Sequence, residues 1–391
     1  MAQKTNRVPS LDGVRGLAIG LVLLWHGLFA PLSNLPNHPL AARIIGLGRL
    51  SWSGVDLFFV LSGFLIGGIL LDAADSKHYF APFYIRRAHR IVPLYAAVVA
   101  FVFLSRYLFR SFAAGWVTNG IPLWQYSGFL QNFWMAKHDS FGSNMLGMTW
   151  SLAIEEQFYL TLPLTIRYVS RSRLWWVLGG MIAGAPLLRM LLIHSIPQGA
   201  MASYVLMPCR ADALGFGLAA ALMKRTPNIW GWVLRWRSYL YVALGATFLG
   251  VVVLLLSGFT AFTNNVFGLE YSLLGFLYFL LLLSVLISSK FEAVFSVRFL
   301  RYMGTIAYGL YLLHPACLVV AHNVAAWIHP AQSGWITMAG SVCGLALATA
   351  VAAISWEYLE KPLIKRGHRY KYDGEQAPDR IERITVPDKT R

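Results

Sequence analysis

LDGVRGLAIGLVLLWHG, residues 11–27, has the apolar run that opens a membrane helix, yet it keeps Arg15 near its start and His26 near its end. The rest of the chain has the same character. Of its 391 residues, 57% are hydrophobic, 14% aromatic and only 13% charged, which lies outside the range of soluble domains. Crossing hydrocarbon takes about 20 mainly apolar residues. About ten stretches meet that need, near 12–32, 52–72, 91–109, 150–168, 174–194, 203–223, 238–257, 266–288, 302–324 and 335–359. The predicted fold is an all-α polytopic membrane protein, about ten transmembrane helices in one bundle. Lys4 and Arg7 before the first apolar run imitate a signal peptide, but Asp12, Arg15 and His26 interrupt it and many spans follow. It is therefore expected to be the first span.

The formal net charge is +16, and its distribution gives the topology. Lys77, Arg86, Arg87 and Arg90, then Arg167, Arg171 and Arg173, then Lys224, Arg225, Arg235 and Arg237, then Lys290, Arg298 and Arg301 fall in alternate loops, whereas the loops near 195–203, 257–265 and 325–334 hold no Lys or Arg. Basic residues accumulate on the cytoplasmic side, so both termini are predicted to be cytoplasmic. Dispersed between spans, these charges form no soluble basic face, and nucleic acid is excluded as a partner. Cys209, Cys317 and Cys343 lie in apolar stretches without CxxC spacing and are expected to be buried free thiols.

Two segments break the pattern. Residues 110–149, with Trp116, Trp124, Trp134 and Phe141, are too interrupted to span; they are expected to lie at the interface or dip back into the protein and cover a site. The tryptophans suit sugar stacking or an interface belt. The division into domains is then 1–366, a membrane domain, and 367–391, a charged cytoplasmic tail expected to be disordered. The basic run from Lys361 to Lys371 is expected to sit against anionic lipid headgroups.

Ionisable groups at membrane depth cost at least ~2.5–3.5 kcal/mol each and mark function. From Arg15 to His26 an α-helix rises roughly 16 Å and returns to within about 20° of its starting direction, so the two share a face. Counting from the ends of each span puts His26, Asp56, Glu155, Glu156, Arg189, Arg210 and Asp212 at one depth, with His314, Tyr308 and Tyr311 nearer the middle. Arg15, Arg86, Arg87, Arg90 and Glu357 form an inner layer. Carboxylates near a histidine make it a usable base. Clustered arginines suit a phosphorylated ligand entering from the cytoplasm. The gap between the layers is comparable with a phosphopantetheine arm, and a coenzyme A thioester would use both.

Each residue has a plainer reading as well. Arg15 suits snorkelling to headgroups, His26 an interhelical hydrogen bond, and Arg86, Arg87 and Arg90 a basic loop. Glu155 and Glu156 point about 100° apart, so one of them is free to pair with Arg189 or Arg210. Asp212 suits an ion pair with Arg210. Asp56 suits either the orientation of His26 or a polar helix start, Tyr308 and Tyr311 either substrate contact or packing, and His314, before Pro315, a structural hydrogen bond.

SLDGVRGLAIGLVLLWH at 10–26, GVDLFFVLSGFLI at 54–66, YIRRAHRIVPLY at 84–95, TWSLAIEEQFYL at 149–160, RADALGFGLAAAL at 210–222, YGLYLLHP at 308–315 and WEYLEKPLIKR at 356–366 together resemble integral-membrane acyltransferase family 3. The resemblance runs from about residue 10 to residue 366. It implies O-acyl transfer, commonly of acetyl, from acyl-coenzyme A (acetyl-CoA) to a hydroxyl of a cell-envelope saccharide or glycolipid, in the plasma (inner) membrane and without a metal. It implies that His26 is catalytic and that Arg15, Arg87 and Arg90 serve the coenzyme. Asp56, Glu155 and Glu156 are assigned beside His26, Arg86 beside the arginines, and Trp150, Arg210, Asp212, Tyr308, Tyr311 and His314 to the acceptor. Met148 stands where many relatives have a histidine before Thr-Trp-Ser-Leu. Larger relatives carry a further soluble domain, so transfer outside the membrane is expected of the bundle or of a separate extracytoplasmic transferase. Both a general-base His26 and an acyl-histidine intermediate fit. The rival function is a transporter with a buried proton relay, which predicts paired broken helices in two related halves.

Overall fold

A computed structural model describes residues 8–33, 48–108, 120–257, 268–329 and 334–373. Among the described residues the chain is helical, without strands. This follows from the solvent: in hydrocarbon every backbone donor and acceptor must be satisfied within the segment. The main helices are α1 (Pro9–Leu24), α2 (Gly54–Asp72), α3 (Phe80–Leu108), α4 (Thr149–Tyr168), α5 (Arg171–Ser195), α6 (Gly199–Val205), α7 (Ala211–Lys224), α8 (Arg237–Leu256), α9 (Glu270–Ile287), α10 (Arg298–Thr305), α11 (Ala307–Ile328) and α12 (Gly334–Ser355). Among the described residues eight helices are long and apolar enough to cross a membrane, and a ninth crossing results if α6 and α7, bent by 69°, count together. The α4 helix is 20 residues long but less apolar, carrying Glu155, Glu156 and Arg167.

Two expected spans are broken. The 203–223 stretch bends after Val205, where Pro208 enters a 3₁₀ turn, Met207–Arg210. The 302–324 stretch divides at Ile306, leaving α10 as a separate short helix against α1. Apolar content alone does not record such bends, because both arms remain apolar.

Helix α2 is the centre of the bundle, burying Asp56, Leu57, Phe59, Val60, Ile66 and Leu70. It meets α7 at backbone distance: a Cβ on Gly63 would overlap the carbonyl of Leu214, and one on Gly217 that of Val60. Such small-residue contacts let membrane helices approach closely. By contrast α8 exposes Val242, Leu249, Val253 and Leu256, the surface expected to face lipid. Cys209 and Cys317 are buried, but Cys343 on α12 is exposed, because an apolar membrane segment does not distinguish a lipid-facing from a protein-facing position.

Two π turns interrupt the α pattern, Trp25–Phe29 after α1 and Trp356–Glu360 after α12. The first contains His26, so the α-helical phase extrapolated from Arg15 does not hold to its end. Residues 120–148 form two short helices, Leu123–Ser127 and Gln131–His138, and fold back into the protein. Gln131 Nε2 donates to the Thr149 carbonyl at 3.0 Å, and Tyr95 Oη to that of Tyr126 at 2.9 Å. Trp124 is exposed, while Trp134 stacks on His138 at 4.1 Å. Trp116 lies outside the described residues, as does the tail from residue 374.

Candidate active site

The α1, α2, α3, α4 and α11 helices line a cavity of about 110 Å³. One part is cationic: Arg15 from α1 and Arg87 and Arg90 from α3 line it. Arg15 also pairs with Asp12 at 2.9 Å. The Arg87 guanidinium lies 5.3 Å from the centre of the Tyr159 ring, a cation–π contact. Arg87 and Arg90 are adjacent on the helix surface because residues three apart face the same way.

The remaining lining is supplied by α2, α4 and α11. Phe58, Phe59 and Leu65 are apolar walls, and Ser62, Ser151, Glu155, Tyr308 and Tyr311 are the polar ones. Glu155 accepts hydrogen bonds from Ser62 Oγ at 2.6 Å and from Tyr159 Oη at 3.1 Å. Tyr308 Oη donates to the Ile91 carbonyl at 2.6 Å and Tyr311 Oη to that of Met148 at 2.8 Å. Ser151 and Tyr311 share a further hydrogen bond of 2.6 Å. Both tyrosines are held by backbone carbonyls, which fixes their rings along the cavity wall.

Beyond Tyr311 come the histidines. The Tyr311 and His314 rings are 6.1 Å apart, and those of His314 and His26 are 5.0 Å apart. His26 itself does not line the cavity; it stands two rings further on. Each histidine places Nδ1 2.9 Å from the carbonyl four residues earlier, Val22 for His26 and Leu310 for His314. A carbonyl only accepts, so each Nδ1 carries the hydrogen and each neutral ring keeps its lone pair on Nε2. The Nε2 atom of His314 is buried without a hydrogen-bond partner among the described residues.

The other carboxylates go elsewhere. Asp56 forms an ion pair with Arg210, and Asp212 pairs with Arg189 at 2.8 Å, all four being at most 1% exposed. The expected Arg210–Asp212 pair is thus replaced by two pairs between helices; residues two apart do not face each other on a helix. Asp56 contacts Arg210 rather than orienting His26, and neither Glu155 nor Glu156 pairs with Arg189 or Arg210. Arg189 also donates to the Gly268 carbonyl at 2.7 Å and to Ser272 Oγ at 2.7 Å. The Arg210 guanidinium lies 4.2 Å from the centre of the Tyr271 ring. Trp150 packs on Tyr204 at 4.4 Å. Arg210, Asp212 and Trp150 are buried in this cluster and line no part of the cavity described above. Glu156 leaves Oε1 buried without a hydrogen bond among the described residues.

Glu357, placed in the inner layer by counting, is exposed and pairs with Lys361 at 2.6 Å. The buried carboxylate of that segment is Glu360, which accepts from Ser355 Oγ at 3.0 Å. Counting from the end of the span gives depth but not rotation, and the π turn Trp356–Glu360 changes which residues face inward there. Arg86 does not line the cavity. Its Nε donates to the Tyr370 carbonyl at 2.8 Å and its guanidinium lies 5.0 Å from the Tyr372 ring centre. Next to it, Asp373 accepts from Ser76 Oγ at 3.0 Å, from the His78 backbone N–H at 3.0 Å and from His78 Nδ1 at 2.8 Å. The bonds from the His78 ring and backbone hold the Asp373 carboxyl well below the usual carboxylate range. Among the described residues no group of three or more His, Cys, Asp or Glu is placed to share a metal ion.

The sequence matches a family described as an acyltransferase domain over residues 8–357. It is 30% identical to YrhL of Bacillus subtilis (strain 168), provisionally named a peptidoglycan O-acetyltransferase, over 94% of this chain and 56% of that protein. It is 28% identical to the peptidoglycan O-acetyltransferase OatA of Listeria monocytogenes serovar 1/2a, over 92% of this chain and 56% of that one. The chain therefore spans little more than half the length of these relatives. No solved structure matches it.

Proposed function

Because the chain belongs to the acyltransferase domain family, we propose that it is a membrane O-acetyltransferase, moving acetyl from acetyl-coenzyme A to a hydroxyl of a cell-envelope saccharide. The observation that carries this is a single cavity, cationic at Arg15, Arg87 and Arg90 and bounded by Tyr311, from which aromatic contacts lead through His314 to His26. The arginines suit the coenzyme phosphates, since guanidinium groups match phosphate oxygens. The apolar walls and the two anchored tyrosines suit the pantetheine arm. The acceptor class is taken from the names of the relatives, OatA being named a peptidoglycan O-acetyltransferase and YrhL provisionally so. The proposal keeps about ten crossings, both termini in the cytoplasm and the plasma membrane as the site of action.

His26 is the base in this reading. Its Nε2 lone pair takes the acceptor hydroxyl's proton as the oxygen attacks the thioester carbonyl; the carbon–sulfur bond breaks and coenzyme A leaves as thiolate, which is then protonated. General-base catalysis contributes about 10²–10⁴ in rate. The test is acetyl ester formation by purified protein in liposomes, with acetyl-coenzyme A and a peptidoglycan digest, followed by mass spectrometry. His26→Ala should lose activity by a factor in that range while binding the coenzyme normally. An unimpaired His26→Ala protein would refute the assignment.

A further inference from the structure

The proposed chemistry uses one imidazole, but the structure packs two together. His314 is fully buried, yet its Nε2 makes no hydrogen bond among the described residues. Leaving a buried polar atom unpaired costs about 1–3 kcal/mol, and such an atom beside a second imidazole calls for an explanation. The arrangement that strands it is specific. Nδ1 is committed to the Leu310 carbonyl, so the tautomer is set and the free atom is an acceptor. The ring 5.0 Å away, His26, has its Nδ1 committed in the same way to Val22. Two neutral imidazoles with both lone pairs on Nε2 gain nothing from each other. Once one of them takes up a proton on Nε2, the other is the nearest ring with a lone pair to share it.

We propose that His314 is the proton-sharing partner of His26, the two imidazoles together holding the single proton released by the acceptor hydroxyl. This rests on the acyl-transfer reading above. The hydroxyl O–H bond breaks and its oxygen bonds to the acyl carbon. The carbon–sulfur electron pair goes to sulfur, and the proton stays between the two Nε2 atoms until the thiolate takes it. No other reactant is needed. His314 also neighbours both His26 and Tyr311, which lines the cavity, so the shared proton is held close to the cavity proposed to take the thioester. As a residue acting through His26, His314 is a positioning residue.

Purified wild type, His26→Ala and His314→Gln are compared in liposomes with acetyl-coenzyme A and a peptidoglycan digest. His314→Gln should lower kcat about 10²-fold, with KM for acetyl-coenzyme A and the melting temperature unchanged. In the wild type, kcat measured across mixtures of light and heavy water should follow a straight line, because one shared proton contributes. A wild type without transfer, or an undamaged His26→Ala protein, would overturn the underlying acyl-transfer reading. With His26→Ala inactive, His314→Gln at full kcat, or a loss appearing only in KM or in stability, would overturn this inference alone. Should His314→Gln fail to fold, His314→Asn is measured in its place, and full kcat in that variant, or a bowed response of the wild type to heavy water, decides against it.

Discussion

Arg90 lines the cavity and makes no hydrogen bond or ion pair to another described residue, whereas Arg15 is tied to Asp12 and Arg87 lies over Tyr159. A guanidinium left unpaired in a cavity is ready for an anionic ligand. Arg90→Gln should therefore raise KM for acetyl-coenzyme A at least about tenfold, the equivalent of one charge-assisted hydrogen bond of about 1.5–3 kcal/mol, with kcat nearly unchanged. A kinetic titration of acetyl-coenzyme A checks this, and a fall in kcat at constant KM would contradict it. Arg86 provides the contrast: it points to Tyr370 and Tyr372, so Arg86→Gln should change KM less than Arg90→Gln. The three arginines of YIRRAHR were legible as a group from their spacing. Which of them faces the cavity was decided by the rotation of α3 against its neighbours.

At the level of elements, the two π turns and the Tyr370–Asp373 segment carry the unexpected features. Counting depth from the span ends put Arg15, Arg87 and Arg90 in one layer and Tyr308 and Tyr311 above it, and all five line the cavity. A constant α-helical phase does not carry through Trp25–Phe29 and Trp356–Glu360, where each wide turn advances the phase by a smaller angle per residue. The start of the tail, expected to be free, is docked through Asp373 onto Ser76 and His78. Asp373→Ala should release it, which hydrogen exchange at residues 76–79 and 370–373 would register as faster exchange. The pH dependence has a definite sign. A carboxyl held below its ordinary value supports docking fully above about pH 4, and the support is lost as pH falls further, through the depressed pKa. Protection of these amides should therefore hold at neutral pH and fail in acid; loss of protection on raising the pH would contradict the assignment.

Across the whole molecule, the Arg189–Asp212 and Arg210–Asp56 pairs join α5, α7 and the turn before α7 to the central α2 helix. Removing one partner leaves a buried charge, so Asp212→Ala should destabilise by about 3–5 kcal/mol, while replacing both Arg189 and Asp212 with apolar residues of similar volume should restore most of the loss. Denaturation in detergent micelles measures both. Glu357→Ala, at an exposed pair, should cost no more than about 1 kcal/mol. What the sequence determined by itself was the helical membrane architecture and the identity of its costly polar residues, because the length of an apolar run and the price of a charge in hydrocarbon are local properties. The tertiary structure alone decided which carboxylate meets which arginine, that Glu360 rather than Glu357 is buried, and that His26 stands beside His314. Those outcomes depend on helix rotation, bends and π turns, which are set by packing between segments far apart in the chain.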